Sequence, residues 1–188
     1  MRVQLRRPSA LDEPRFLQAA RRSRAFLQRW APPPCTPKAY RAYIQRLRKP
    51  THDGRLVILR TSGDLAGEIN VSEIVHGAFR SAYLGYYAFV PHAGRGYMAE
   101  GLALALRWAF GELHLHRVEA NIQPGNDASR ALVRRLGFRR EGFSPRYLKI
   151  AGRWRDHERW ALLAEDWRRH RSPNFRVQRS HGQGAARR

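Results

Sequence analysis

Residues Tyr83–Phe110 read YLGYYAFVPHAGRGYMAEGLALALRWAF. An aromatic, strand-like segment passes two glycines and enters an apolar helix that runs from about Tyr97 to Leu113. Gly94 and Gly96 remove side chains where an anion would approach the backbone. The amides of Arg95 to Ala99 then point outward at the positive end of that helix, and Arg95 adds a charge. The pattern predicts a site for a ligand with a pyrophosphate. A P-loop is excluded, because no GK[ST] follows. Gly94, Gly96 and Ala99 match the dinucleotide fingerprint G-x-G-x-x-A only in letters. That loop follows the first strand of its sheet and needs an acid at the tip of the next. Here it lies mid-chain, Glu119 falls inside a strand, and too little chain follows to build the remaining strands. A plain strand-to-helix turn is the other alternative.

Working outward, the first 50 residues read as two helices separated by APPPCTP, the second opening at Thr36-Pro37 as N-cap and first helical residue. Strands follow at RLVILRT (Arg55–Thr61), LAGEINVSEIV (Leu65–Val75) and AYLGYYAFV (Ala82–Val90). In the second of these, Ile69 and Val71 share one face, and Glu68, Asn70 and Ser72 the other. After the long helix come a strand at HRVEANIQP (His116–Pro124), a helix closed by Gly137 and two strands around an AGR turn. The order predicts one α/β (α+β) domain over residues 1–167. The acid-free stretch 168–188 is expected to be a disordered basic tail.

Composition narrows the class. No apolar run reaches the roughly 20 residues of a membrane span. The first residues have no signal-peptide core, and Cys35, the single cysteine, allows no internal disulfide and is expected to be inert. Together these predict a cytoplasmic protein. The net charge of +21 is almost all arginine. It attracts RNA, acidic proteins and phosphorylated ligands without choosing among them.

The glycine loop does not stand alone. NIQPGNDASRALVRRLGF, Asn121–Phe138, resembles the second signature of the GNAT acetyltransferases: an Asn, then a Ser, then a helix ending in Gly-Phe. FLQRW, EINVSEIVHGAF, AGRGYMAEGL and YLKIAGRWRDH extend the likeness over roughly residues 10–167, and are similar to the RimJ branch of the RimJ/RimL family. The resemblance implies a GNAT fold: a mixed, mostly antiparallel twisted sheet with helices on both faces. Acetyl-CoA would lie where Tyr83–Val90 splays from Arg117–Ile122. It places Phe89, Val90, Arg95, Gly96, Tyr97, Met98 and Ala99 against the cosubstrate from one side, and Asn121, Asn126, Ser129 and Arg130 from the other. It implies no metal. It implies transfer to a protein N-terminal amine, the N-terminal alanine of a ribosomal protein. The alternatives are a small amine (antibiotic, polyamine or amino acid), or a ribosome- or RNA-binding role on the same scaffold.

Three positions depart from the family pattern. Ala93 stands where the loop usually opens with Gln or Arg, Met98 where Gly or Ala is usual, and Val133 where many members place a proton-donating tyrosine. Direct acetyl transfer needs a neutral amine, a polarised carbonyl and a proton for the leaving sulfur. A backbone amide near Val90 is expected to polarise the carbonyl, and Ser129 to give the proton. Glu68, Glu73 and Glu141 are the candidate bases, each more often a structural carboxylate. Glu100 reads as a helix-dipole partner. His114 and His116 lack a third ligand nearby, and Asp156-His157 lacks a nucleophile and reads as a fastening of the closing hairpin.

Overall fold

The computed structural model describes residues 1–30 and 32–171. Its centre is a seven-stranded sheet in the order β1-β2-β3-β4-β5-β7-β6. The strands are β1 (Val3–Arg6), β2 (His52–Leu59), β3 (Leu65–Val75), β4 (Ser81–Ala88), β5 (Arg117–Ile122), β6 (Arg139–Ile150) and β7 (Arg153–Leu163). Every neighbouring pair is antiparallel except β4 with β5. The helices are α1 (Glu13–Arg22), α2 (Arg24–Leu27), α3 (Pro37–Arg46), α4 (Tyr97–Gly111), α5 (Asp127–Arg135) and α6 (Ala164–Arg171).

Strand alternation separates two cores. Val57, Ile69 and Val71 point to one face and pack with Leu102, Ala105 and Leu106 of α4. Leu56 and Ile58, one residue either side of Val57, point to the other and pack with Phe16 of α1 and Tyr40 and Tyr43 of α3. The sheet is therefore covered on both faces, as expected. Thr36 caps α3 by accepting the Ala39 N–H (3.2 Å), and Gly137 takes φ +96° just past α5.

Strand β1 was not expected. It is four residues long, too short for a period to show, and forms only by pairing with Leu56–Leu59 of β2. Helix α6 runs across the expected boundary at Arg168. Residues 172–188, most of the expected tail, lie outside the described residues. No described helix is long and apolar enough to cross a membrane.

Candidate active site

Strands β4 and β5 pair only from Ser81–Tyr83 to Arg117–Glu119. Beyond that β4 stays with β3 through Ala88, while β5 follows β7 through Ile122. The sheet opens between them. Hydrogen bonds alternate in direction along a strand. Phe89 N–H bonds Ala66 O of β3 (2.9 Å), so the N–H groups of Ala88 and Tyr86 are directed to the opposite side, into the opening. A backbone amide near Val90 is expected to polarise a carbonyl; the Val90 N–H itself donates to Ser23 Oγ (3.0 Å). The amides available for that task are those of Tyr86 and Ala88.

A cavity of about 470 Å³ fills the opening. Tyr97, Met98, Ala99 and Gly96 border it from the start of α4, and Asn121, Asn126 and Ser129 from β5 and α5. Phe26, Leu27 and Trp30 close the far side, where Gln123 Nε2 donates to Trp30 O (2.9 Å). Asn121 Oδ1 is buried and has no hydrogen bond among the described residues, so it is an acceptor waiting for a donor. Asn126 caps α5 through the Ser129 N–H (3.2 Å).

At the loop, Gly94 and Gly96 both adopt positive φ (+77° and +81°). The Ala99 N–H turns back to Gly96 O (3.1 Å), which leaves the amides from Arg95 to Met98 at the open end of α4. Met98 departs from the family pattern without blocking the loop. Its side chain is buried, and its sulfur would stand 2.4 Å from any Cβ at position 67, which is glycine.

Four of the expected residues do not border the cavity. Phe89 is fully buried in the α1–α3 core, edge-on to Phe16 (5.5 Å). Val90 has its amide engaged, as above. Arg95 is exposed and does not border the cavity. Arg130 also stands outside it, bonded to Asp127 and Glu158. Val133 is fully buried and has no proton to give.

Ser129 has a partner that sequence reasoning missed. The Tyr86 hydroxyl lies 2.6 Å from Ser129 Oγ. Burial pushes the Tyr86 hydroxyl up to about 12, with the Ser129 bond acting the other way. The two residues are 43 apart in sequence and meet only because the sheet opens beside α5.

The candidate bases separate. Glu141 is held by Arg117, whose hydrogen bonds keep its carboxyl below the usual range, and exposed Glu73 stands 3.7 Å from His52. Glu68 is fully buried beside Tyr43, Tyr87 and Asn70, and burial raises its pKa. None of the three borders the cavity. Glu100 takes both Arg2 N–H and Arg2 Nε at 2.6 Å. Asp156 accepts the Arg146 N–H (2.7 Å), which ties the β6–β7 hairpin together.

Residues 2–139 match the family model for the acetyltransferase (GNAT) domain. The chain is 35% identical over 153 residues to the [ribosomal protein uS5]-alanine N-acetyltransferase of Escherichia coli, covering 77% of this chain and 79% of that one. The structure superposes on Mycobacterium smegmatis RimJ in complex with CoA-disulfide with a TM-score of 0.80 and 29% identity, over 87% and 83% of the two chains. Spermidine N-acetyltransferase of Vibrio cholerae, in complex with CoA and spermine, shares the fold (TM-score 0.76, 20% identity, 88% and 98% coverage). With an opened sheet, two amides turned into the gap and a glycine-led helix at its rim, the chain belongs to the GNAT family and is an acetyl-CoA-dependent N-acetyltransferase.

Proposed function

We propose that the enzyme acetylates the N-terminal α-amine of a protein, with the N-terminal alanine of a ribosomal protein as the acceptor. The observation that carries this reading is the absence of any Asp or Glu among the described residues bordering the cavity. A polyamine is a polycation and needs carboxylates to seat it; here it would also approach a chain of net charge +21. A peptide end with one amine and a small first side chain needs neither. The 35% identity to the uS5-alanine enzyme supports the same choice.

In this reading the diphosphate of acetyl-CoA rests on the amides of Arg95 to Met98, and the pantetheine arm bonds Asn121 and the β4 edge. The thioester carbonyl takes a hydrogen bond from the Tyr86 or Ala88 amide. The amine enters past Leu27 and Trp30 and attacks directly; as the C–S bond breaks, the departing thiolate takes its proton from Ser129, which is reprotonated through Tyr86 and water. An N-terminal amine titrates near ~8, so enough is neutral at physiological pH for water to take the second proton.

Incubation with acetyl-CoA and either an alanine-ended ribosomal peptide or spermidine, read by mass spectrometry, tests the choice. The expected product is the peptide with one acetyl group on its N-terminus. Acetylation of spermidine alone rejects the proposal.

A further inference from the structure

Ala93 deprives the loop of the side chain that usually opens it. Another residue, from the far end of the sequence, occupies the back of the loop. Arg2 stands just ahead of β1, which pairs with β2 and packs against α4. Its guanidinium donates through Nη2 to Arg95 O (3.2 Å) and lies over the Tyr97 ring at 4.6 Å. Its Nε and its backbone N–H both donate to the Glu100 carboxylate, each at 2.6 Å. A side chain 56% exposed to solvent is thereby held at three points.

The two ends of a peptide group point in opposite directions. A cation on Arg95 O fixes the plane of the Arg95–Gly96 peptide and turns the Gly96 N–H toward the open, ligand side. It also polarises that amide, because hydrogen bonds in series strengthen one another. Gly96 suits both demands: it adopts φ +81°, and a Cβ there would lie 3.2 Å from Arg2 Nη2. We infer that Arg2 is the positioning residue of the diphosphate loop, orienting the Gly96 amide from behind in place of the missing side chain at position 93. Glu100 is its anchor, in addition to facing the helix dipole. The inference rests on the reading that this loop receives the diphosphate of acetyl-CoA.

The test compares acetyl-CoA with S-acetylpantetheine, which has the same thioester and no phosphates. It uses the full chain with its N-terminus untagged. Wild-type enzyme is expected to favour acetyl-CoA strongly in kcat/KM. Arg2→Ala is expected to raise KM for acetyl-CoA about tenfold, the scale of one hydrogen bond to a charged group, with kcat little changed. It should leave kcat/KM for S-acetylpantetheine at the wild-type value. Arg2→Lys is expected to recover part of the loss, and Glu100→Gln to show a smaller loss that is not additive with Arg2→Ala. The exposed ion pair adds little to stability, so Arg2→Ala should melt close to wild type. Equal losses on both thioesters would show that Arg2 merely supports the fold, and an unchanged KM would show that it does nothing for the loop; either overturns the inference alone. A wild-type enzyme with no preference for acetyl-CoA overturns the reading of the loop, and the inference with it.

Discussion

Ser129 and Tyr86 form the one pair of hydroxyls within 2.6 Å that both border the cavity among the described residues. Neither is acidic, so neither gives up a proton freely. A thiolate is a weaker base than either deprotonated hydroxyl, so transfer to sulfur is feasible only as Tyr86 and water return a proton to Ser129 while the C–S bond breaks. Ser129→Ala should therefore lower kcat by roughly 10²-fold, the smaller end of what a positioned proton donor supplies, with acetyl-CoA affinity nearly unchanged. Tyr86→Phe should lower kcat in the same direction by less, since Ser129 remains and water can replace the relay. Steady-state kinetics with calorimetric binding of acetyl-CoA separates the two parameters. Full turnover in Ser129→Ala removes the serine from the chemistry. Ser129 was legible in the sequence through its place after Asn126; Tyr86 was not, because the contact depends on where β4 leaves β5.

Among the elements, β3 and α4 meet closely where Gly67 faces Met98. Gly67 leaves no room for a side chain: a Cβ would stand 2.4 Å from Met98 Sδ and 2.6 Å from Tyr87 O. Gly67→Ala is therefore expected to destabilise the protein by about 1–3 kcal/mol, the usual penalty of overpacking. Met98→Ala should not rescue it, since the second clash is with backbone. Urea denaturation of the single and double variants checks this, and full rescue would mean that the methionine alone sets the limit. The same interface explains what could be read in advance. The loop and α4 were legible because glycines and an apolar run mark them locally. Strand β1 was not, because four residues carry no period. The burial of Glu68 was also hidden. Alternation put it on the face opposite Ile69 and Val71, and only the packing of α1 and α3 makes that second face as dry as the first. The opening between β4 and β5 came from the family resemblance, since it depends on the pairing of distant strands.

For the whole molecule, two buried carboxyls set opposite responses to pH. Asp12 is 4% exposed; burial alone would raise its pKa, but hydrogen bonds from Arg6 and Ser9 outweigh that and hold it below 3.8. A depressed carboxyl stabilises the fold above its unfolded value, and that gain is lost as pH falls through the folded value. Glu68 is the reverse. Burial holds it above 4.5, and the nearby Tyr43, Tyr87 and Asn70 make no hydrogen bond of normal geometry with either oxygen. Above 4.5 the folded state keeps a proton that the unfolded state has released, so stability falls as pH rises toward the folded value. Glu68→Gln replaces the protonated carboxyl with a neutral group of the same shape and removes that fall. Its stability should equal wild type near pH 4 and exceed it by about 1–3 kcal/mol at pH 8, the scale of an uncompensated buried polar group. Asp12→Asn should be less stable than wild type at pH 7, and the gap should close toward pH 3. Urea titrations of the three proteins across pH 3–8 measure both trends. A Glu68→Gln curve parallel to wild type at every pH would mean that Glu68 titrates alike in the folded and unfolded chains, and that its burial has no electrostatic consequence.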